Sequence, residues 1–496
     1  MKPLNEWMKR SKALPVDEAA DLSPAPLLEA FDNFQGSFFD LDRNTTVSAS
    51  ALKNLKASLY KQMLARGLTV GDRVLAALPN GPLFAAAWAA CLEAGASPIV
   101  VHSETPPPEL HRMAKQWGAS FLLVEADVSH TADLKPIEFL SAGEQGSLRW
   151  QRLEGERDPI RLTSVPLHPT SGTSGSPKLA VRPGPCAVAE PLHYIETLSI
   201  DRSDSILCAI PMSHAYAYGM CFLVTILTSA ELLFMRRFNP ALMHRALRER
   251  TASILPAVPV ILDSLLATDT GASSVHLRTV LSAGAPLSKK TFGAFRQRYH
   301  QAIRPLYGTT ETGGISIGRA DDEFDGDVGP AMKGVEVDLR LLSGDAPPSE
   351  AKMLRVRSSS MMAGYLENGV INRGALQDGW FETGDLSRMD TQGRIFLQGR
   401  VSEVINVFGL KVLPREVEEV ISLLPEVVEV KVYGRRHMGP EVVEAAVVCG
   451  GDLSENQILK HCEKHLVGYK CPTAIRFVTA LPRTASGKVA TERFLD

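Results

Sequence analysis

Apolar side chains recur along the chain at helical spacing and at strand spacing, and the two patterns alternate. Residues 50–66 carry apolar positions at helical spacing and stop at Gly67. An apolar run at Val74–Leu78, a turn of proline, asparagine and glycine, a helical segment at Leu83–Glu93 and a second run at Ile99–Val101 follow. The alternation recurs in FLLVEAD, in SILCAIP and in ASILPAVPVILDSLL. Strands that alternate with helices predict an α/β fold with largely parallel sheets.

The C-terminal part of the chain has a pattern of its own after GRIFLQGR at 393–400. A helix at REVEEVISLL is followed by two strand patterns, VVEVKVYG and EVVEAAVVCG. A helix around Glu455–Leu466 and a strand at Ala474–Val478 complete the segment. We therefore predict a compact α/β unit after a boundary near Arg400–Ser402.

Composition and charge narrow the classes of partner. The chain has 496 residues, of which 45% are hydrophobic and 22% are charged, with a formal net charge of −3. These values are ordinary for a soluble globular protein, and the dispersed lysines and arginines give no reason to expect nucleic acid. The most hydrophobic run, at 220–235, is interrupted by Ser229 and Glu231 and is too short to span a membrane. We expect a buried helix there, followed by a strand.

The seven cysteines form no CxxC pair and are odd in number. The first residues, MKPLNEWMKRSK, are polar and lack the apolar centre of a signal peptide. Both observations favour reduced thiols in a cytoplasmic protein. No histidine and cysteine cluster has the spacing of a metal site.

The stretch HPTSGTSGSPK at 168–178 is typical either of a solvated loop or of a phosphate-binding loop. Its glycines allow close approach of the backbone to an anion, its hydroxyl and N–H groups can donate to phosphate oxygens, and Lys178 adds a positive charge. It is not a Walker loop, because GxxxxGK[ST] does not fit. Taken alone, the stretch is more often a flexible loop.

Three further glycine-containing segments offer complementary chemistry. PLYGTTETGG at 305–314 contains Glu311, whose carboxylate suits magnesium because hard cations prefer oxygen ligands. GWFETGDL at 379–386 presents Asp385 on a glycine turn, where it can accept from ribose hydroxyls. LPRTASGK at 481–488 presents Lys488 on a flexible loop. Each segment alone fits an ordinary turn, but the four in this order indicate a nucleotide site.

With these motifs the sequence resembles the adenylate-forming superfamily of acyl-CoA synthetases, nonribosomal adenylation domains and firefly-type luciferases. TSGTSGSPK resembles the phosphate loop of the family, SAGAPL at 282–287 its substrate- and adenine-side loop, and YGTTE its adenine and magnesium motif. GWFETGD resembles the ribose motif, GRVSEVINVFGLKVLPREVEEVI the hinge region and PRTASGK the C-terminal lysine loop. The resemblance runs from about residue 45 to the C-terminus. It implies an α/β fold, with a large N-terminal domain of stacked α/β subdomains at 1–400 and a small mobile α+β domain at 401–496.

The resemblance also implies a role for each matching residue. Lys488 bridges the attacking carboxylate and the α-phosphate, Thr310 contacts the α-phosphate, and Glu311 holds magnesium. The residues implied for ATP are Thr170, Ser171, Gly172, Thr173, Ser174, Gly175 and Lys178 at the β- and γ-phosphates, Gly284, Ala285, Pro286, Tyr307, Gly308 and Thr309 on the adenine side, and Asp385 and Arg400 at the ribose. Ser402 occupies the hinge position, where the family usually has aspartate or lysine, and Gly409 lies beside the thiol tunnel.

The segment PMSHAYAYG at 211–219 is the candidate acyl pocket. In similar acyl- and aryl-CoA ligases a histidine in this context lines the carboxylate pocket, which implies that role for His214. Tyr216, Tyr218, Ala283 and Thr309 are candidate pocket walls, and packing in the core is the alternative for the histidine and both tyrosines. The stretch has no aspartate to pair an α-ammonium group, and an apolar pocket does not bind such a group cheaply. We therefore expect an acid without an α-amine, with an aromatic or short acyl group.

The resemblance implies an ATP-dependent carboxylate–thiol ligase that acts on a small-molecule carboxylate. The acid, ATP and Mg²⁺ give an acyl-adenylate and pyrophosphate, and CoA then gives the thioester with release of AMP. One alternative loads the acyl group onto the phosphopantetheine arm of an acyl carrier protein in trans. Two others are a luciferase-type oxidative enzyme and a nucleotide-binding module without catalysis. The joint presence of Glu311, Asp385, Arg400 and Lys488 argues against the last.

Overall fold

Two compact units make up the chain. The computed structural model describes residues 22–126, 138–153, 164–170, 177–249, 252–268, 276–320, 323–341, 352–407, 410–436, 441–483 and 489. The first unit comprises Met1–Glu336 and Arg357–Phe381, and the second comprises Val337–Val356 and Glu382–Asp496. The expected fold class, a large α/β unit with a smaller one, is confirmed. The division into domains at 1–400 and 401–496 remains a prediction.

The helices and strands follow the sequence patterns closely. The described strands are β1 Ser37–Asp40, β2 Thr45–Ser48, β3 Arg73–Ala77, β4 Ser97–Val101, β5 Phe121–Glu125, β6 Glu138–Ser141, β7 Ser147–Arg152, β8 Leu167–Thr170, β9 Lys178–Val181, β10 Ser205–Cys208, β11 Glu231–Phe234, β12 Ile254–Ala257, β13 Thr279–Ser282, β14 Ile303–Thr309, β15 Gly313–Ile317, β16 Val335–Arg340, β17 Lys352–Ser358, β18 Gly364–Glu367, β19 Val370–Asn372, β20 Leu376–Gln377, β21 Trp380–Met389, β22 Ile395–Arg400, β23 Ile405–Val407, β24 Leu410–Val412, β25 Val427–Arg436, β26 Glu441–Cys449 and β27 Ala474–Phe477. The described α-helices are α1 Ala25–Asn33, α2 Ala49–Ala65, α3 Pro82–Glu93, α4 Pro107–Gln116, α5 Gly184–Leu198, α6 Ala215–Ala217, α7 Val224–Thr228, α8 Pro240–Glu249, α9 Pro259–Ala267, α10 Lys289–Tyr299, α11 Pro414–Ile421 and α12 Glu455–His465.

Local chemistry explains where several helices begin and end. The hydroxyl of Ser48 accepts a hydrogen bond from the N–H of Ala51 at 3.3 Å and so caps α2. The same helix stops before Gly67, whose φ of 84° lies in the left-handed region. Helix α12 begins with a capping box, in which the side chains of Ser454 and Gln457 each bond to the other residue's backbone. These helix positions were therefore predictable from sequence.

The first unit contains two sheets, one largely parallel and one mixed. One has the order β15-β14-β13-β12-β10-β11-β1-β2, and its strands are parallel from β14 through β1. The other has the order β19-β18-β9-β8-β4-β3-β5-β7-β6. In this mixed sheet β8, β4, β3 and β5 pair in parallel and the strands outside them pair antiparallel, so the predicted parallel arrangement holds for one sheet and for the centre of the other. Strands β3, β4 and β5 are buried along their whole length. Continuous burial is typical of parallel strands with helices on both faces.

The most hydrophobic run of the chain is buried in this unit. A π-helical segment at Tyr218–Leu223 continues into α7, and strand β11 follows. The expected helix followed by a strand is thereby confirmed. Of the helices that the structure describes, none is long and apolar enough to cross a membrane.

The second unit has a core of its own in its C-terminal part. Strands β25, β26 and β27 form a three-stranded sheet, with β26 antiparallel to β25 and parallel to β27. Helices α11 and α12 contribute Val417, Ile421, Ile458 and Cys462 to the apolar cluster beside it. The predicted order of helix, two strands, helix and strand is confirmed.

Candidate active site

The candidate adenine-side residues of the first unit lie at the carboxyl ends of two neighbouring parallel strands, β13 and β14. Ser282 at the end of β13 pairs with Ala257 of β12 and with Pro305 of β14. The loop after β13 therefore begins beside the strand that leads to Tyr307. Open α/β sheets bind ligands at this edge, because the loops after neighbouring strands converge there.

The loop after β13 contains the residues expected on the substrate and adenine side. Ala283 is buried, and its N–H donates to the carbonyl of Ala257 at 3.1 Å. Gly284 has a φ of 81°, which a residue with a Cβ adopts only with strain. Gly284 and Pro286 are exposed, whereas Ala285 is half-buried. The backbone thus turns from the buried strand towards solvent at the glycine.

The segment YGTTE forms the end of β14 and the turn into β15. The two strands are antiparallel, with an irregular register at Tyr307 and Gly308. A Cβ at Gly308 would lie 2.5 Å from the carbonyl oxygen of Gly313, so only glycine allows the two strands to come this close. The Thr309 and Thr312 hydroxyls lie 3.0 Å apart across the turn. Thr310, like Thr309, is half-buried.

Glu311 in this turn is held by a tyrosine from another strand. The hydroxyl of Tyr365 in β18 donates to Oε1 of Glu311 at 2.7 Å. The N–H of Met362 donates to the carbonyl of Glu311, also at 2.7 Å. Burial first, and the Glu311 carboxylate second, raise the pKa of Tyr365, so that its hydroxyl remains a donor. An ionised carboxylate has about four acceptor sites, so this bond leaves acceptor capacity for a cation.

The two ends of the predicted phosphate loop meet on paired strands. Thr170, which is buried at the end of β8, pairs with Lys178 at the start of β9. The Nζ of Lys178 lies 3.2 Å from Oε1 of Glu367 and 5.0 Å from the centre of the Tyr365 ring. A hydrogen bond from Asn372 and the contact with Lys178 lower the pKa of Glu367. The loop residues Ser171, Gly172, Thr173, Ser174 and Gly175 lie outside the described residues.

The candidate acyl-pocket segment follows β10 and is anchored by a buried asparagine. The amide nitrogen of Asn80 donates to the carbonyl of Ile210 at 3.0 Å, and its Oδ1 accepts from the N–H of Met212 at 2.6 Å. His214 is half-buried and its Nδ1 accepts from the N–H of Tyr216 at 3.4 Å. A distant residue therefore fixes the turn that presents His214.

The two tyrosines after His214 are more deeply buried than the histidine. Tyr216 is 7% exposed and Tyr218 is fully buried. The ring of Tyr218 lies 4.4 Å from that of His168 and 5.9 Å from that of Trp88. Tyr218 is thus part of the core, and a role for it as pocket wall remains a prediction.

A buried ion pair supports the turn that carries Glu311. Nη1 of Arg182 lies 2.8 Å from Oε2 of Glu190, and both side chains are almost fully buried. Burial raises the pKa of Glu190, while Arg182 acts in the opposite direction. A Cβ at Gly313 would lie 2.6 Å from the Glu190 carboxyl carbon, and one at Gly314 would lie 2.6 Å from the hydroxyl of Tyr194. The glycines at the start of β15 therefore pack directly on helix α5.

In the second unit, Asp385 and Arg400 form a hydrogen-bonded pair across two strands. They lie opposite each other in β21 and β22. Nε of Arg400 donates to Oδ1 of Asp385 at 3.0 Å, with Asp385 almost buried and Arg400 partly exposed. Ser402 is exposed in the single turn Val401–Glu403 that follows. The predicted site residues Gly409 and Lys488 lie outside the described residues.

Sequence reasoning missed Tyr365, Glu367, Asn80 and the Arg182–Glu190 pair. Tyr365 and Glu367 belong to the short stretch GYLE, whose pattern is that of an ordinary half-buried strand. Asn80 follows β3 in a turn that also contains proline and glycine, and asparagine is common in such turns. Their roles depend on partners far along the chain, so no local signal marks them.

Family models identify the class of protein that this fold and these residues define. The model for the AMP-binding enzyme family matches residues 35–366, and the model for its C-terminal domain matches residues 416–488. The first match alone covers more than half of the chain. The chain therefore belongs to the AMP-binding enzyme family.

Individual relatives agree with the family. A 4-coumarate–CoA ligase of Pinus taeda is 28% identical over 456 residues, which cover 85% of this chain and 84% of that protein. A feruloyl-CoA synthase of Amycolatopsis sp is 28% identical over 460 residues, which cover 90% of this chain and 92% of that protein. ATP-bound MatB of Rhodopseudomonas palustris has a TM-score of 0.80 at 23% identity and covers 95% of this chain and 98% of its own. MenE of Bacillus subtilis with AMP has a TM-score of 0.79 at 22% identity, covering 96% and 98%. The predicted class, an AMP-forming acid–thiol ligase, is confirmed.

Proposed function

We propose that the protein activates an aryl carboxylic acid with ATP and transfers the acyl group to CoA. The observation that carries the proposal is that Lys178 and Glu311 both contact the side chain of Tyr365. A cation at the end of a glycine-rich loop and a carboxylate suited to magnesium are thus close together. That is the arrangement needed to bind the phosphates of ATP, because charge neutralisation is the main task in phosphoryl and adenylyl transfer.

The roles proposed for the first step are those that the family resemblance implies. The carboxylate of the acid attacks the α-phosphorus, the bond to the β-phosphate oxygen breaks, and pyrophosphate leaves. Lys488 contacts the attacking carboxylate and the α-phosphate, and Thr310 donates to the α-phosphate. Lys178 and the loop before it hold the departing phosphates. Asp385, oriented by Arg400, accepts from the ribose hydroxyls.

Magnesium fits the donor set at Glu311. Mg²⁺ usually binds through one or two carboxylates together with substrate phosphates and water, so a single half-buried carboxylate is sufficient. When bound, the ion neutralises phosphate charge during adenylate formation. A structure of MenE from Bacillus subtilis in complex with ATP and a magnesium ion shares this fold, with a TM-score of 0.77.

The proposed second step transfers the acyl group from AMP to a thiol. The thiol loses its proton to solvent, its sulfur attacks the acyl carbon, the bond to the AMP oxygen breaks, and AMP leaves as the thioester forms. We assign CoA as the thiol, because the relatives reported above are named for CoA ligation. Loading of an acyl carrier protein is the alternative outcome of an acceptor assay with both thiols.

Seven free cysteines support a reducing compartment such as the cytoplasm.

An aryl acid is proposed because the curated relatives act on 4-coumarate and ferulate. His214 and Tyr216 are the proposed contacts with the acid. Acid-dependent exchange of labelled pyrophosphate into ATP tests the proposal with hydroxycinnamates, benzoates, dicarboxylates and medium- and long-chain acids. We expect exchange with aryl acids at least tenfold faster than with the others. Faster exchange with a fatty acid or a dicarboxylate would refute the substrate class, and no exchange with any acid would refute adenylation.

A further inference from the structure

Tyr365 lies between the two charged groups that the proposed function assigns to ATP. Its hydroxyl donates to Oε1 of Glu311 at 2.7 Å, and its ring lies 5.0 Å from the Nζ of Lys178. The residue is half-buried in β18, away from every motif that identified the nucleotide site. One side chain therefore contacts both the phosphate-loop lysine and the candidate magnesium ligand.

The strand register explains why this tyrosine reaches both groups. Strand β18 is antiparallel to β9, and Tyr365 lies opposite Ala180. Residues two apart in a strand point to the same face, so Lys178 and Tyr365 share a face. The N–H of Ala363 donates to the carbonyl of Val181 at 2.9 Å and fixes this register just before β18. The N–H of Met362 then fixes the backbone of Glu311 itself.

A hydrogen bond to a metal-binding carboxylate changes the affinity of the site for the metal. Partners outside the ligand shell orient a ligand, and their loss typically costs 10–100-fold in metal affinity. The Tyr365 hydroxyl occupies one acceptor direction on Glu311 and so limits how the carboxylate can rotate. The ring of the same tyrosine lies 5.0 Å from the Nζ of Lys178, which also pairs with Glu367 at 3.2 Å.

We propose that Tyr365 is a positioning residue, whose hydroxyl orients Glu311 for the magnesium ion that accompanies ATP. The inference rests on the proposed function, because that function assigns Glu311 to magnesium. Tyr365 itself contacts neither ATP nor the ion in this role. Its effect should therefore appear in the part of ATP affinity that depends on magnesium.

The test is a calorimetric titration of ATP into the whole protein without any acid, once with EDTA and once with saturating Mg²⁺. Tyr365→Phe removes the hydroxyl but keeps the ring beside Lys178. We expect ATP affinity with Mg²⁺ to fall about tenfold, the lower end of the range for such partners, and affinity in EDTA to stay unchanged. In a Glu311→Gln background, Tyr365→Phe should have little further effect, because the two residues act through one contact.

Tyr433→Phe is the matched control, since the Tyr433 hydroxyl donates to Glu444 at 3.3 Å in the second unit. It should bind ATP with Mg²⁺ as wild type does, and thermal melting of each variant shows that it is folded. Equal affinities of wild type and Tyr365→Phe with Mg²⁺ would overturn the inference, as would an equal loss in EDTA. Both outcomes leave the proposed function intact if wild type exchanges pyrophosphate. If the wild-type protein fails to exchange pyrophosphate with every acid tested, the proposed function and this inference are both overturned.

Discussion

Protonation of His168 should destabilise the first unit in mild acid. The residue lies in β8, just before the phosphate loop, and is 1% exposed. Burial lowers the pKa of His168 from 6.5 to about 3, and the charges of Arg182 and His214 add to the effect. The folded protein therefore keeps this imidazole neutral over a range of pH in which the unfolded chain binds a proton.

The sign and size of the effect follow from the linkage between proton binding and folding. Because the pKa of this base is depressed in the folded state, stability is lost as pH falls below about 6.5 and continues to fall towards pH 3. Each pH unit in that window is worth about 1.36 kcal/mol. At pH 5, about 1.5 units below the ordinary value, His168 should cost about 2 kcal/mol of unfolding free energy.

The assay is urea unfolding at pH 7 and pH 5, followed by tryptophan fluorescence, for wild type and His168→Gln. Glutamine is neutral at both values, so the variant should lose about 2 kcal/mol less than wild type between them, whatever its stability at pH 7. His193, whose pKa burial lowers to about 4, should behave similarly when replaced by glutamine. An equal loss in wild type and His168→Gln would refute the reasoning that burial keeps this histidine neutral.

Three further predictions concern the catalytic lysine, the buried ion pair and the ribose site. Lys488→Ala should abolish pyrophosphate exchange but largely spare thioester formation from supplied acyl-adenylate; undiminished exchange would contradict its role in the first step. Arg182→Met should reduce the free energy of unfolding by about 3–5 kcal/mol, because it leaves the Glu190 carboxylate buried without its cation. Urea unfolding measures this loss of stability, and adding Glu190→Gln to Arg182→Met should recover part of it. A loss below about 1 kcal/mol for Arg182→Met would show that the site relaxes around the unpaired carboxylate. Asp385→Asn should raise the KM for ATP about tenfold, through a weaker bond to the ribose and to Arg400, but should leave the KM for 2′,3′-dideoxy-ATP nearly unchanged. Equal increases for both nucleotides would place its effect elsewhere.

Short-range patterns were sufficient for part of the elements of both units. Helix α2, the β3–α3–β4 unit and the C-terminal order from α11 to β27 all follow from apolar spacing, caps and glycine stops. Those signals act between residues a few positions apart, so a single sequence contains them. The nucleotide motifs were equally readable, because each is a contiguous run whose residue types suit phosphate, ribose or magnesium.

The contacts between these runs could not be obtained in the same way. Neither β9 nor β18 was predicted from the sequence, and no local pattern shows that these strands pair or that Tyr365 lies opposite Ala180. The sequence likewise left Tyr218 open between pocket wall and core, and only the packing of His168 and Trp88 around its ring buries it.

The sequence by itself determined the local elements, the order of the nucleotide motifs and the family to which they belong. The tertiary structure alone decided that Glu311 is held by Tyr365, that Asp385 pairs with Arg400, and that a buried ion pair supports the turn before β15. The physical reason is that backbone pairing and burial act between residues distant in sequence. The free energy of these contacts depends on which elements pack together. The apolar periodicity of one strand or helix does not identify the element that packs against it.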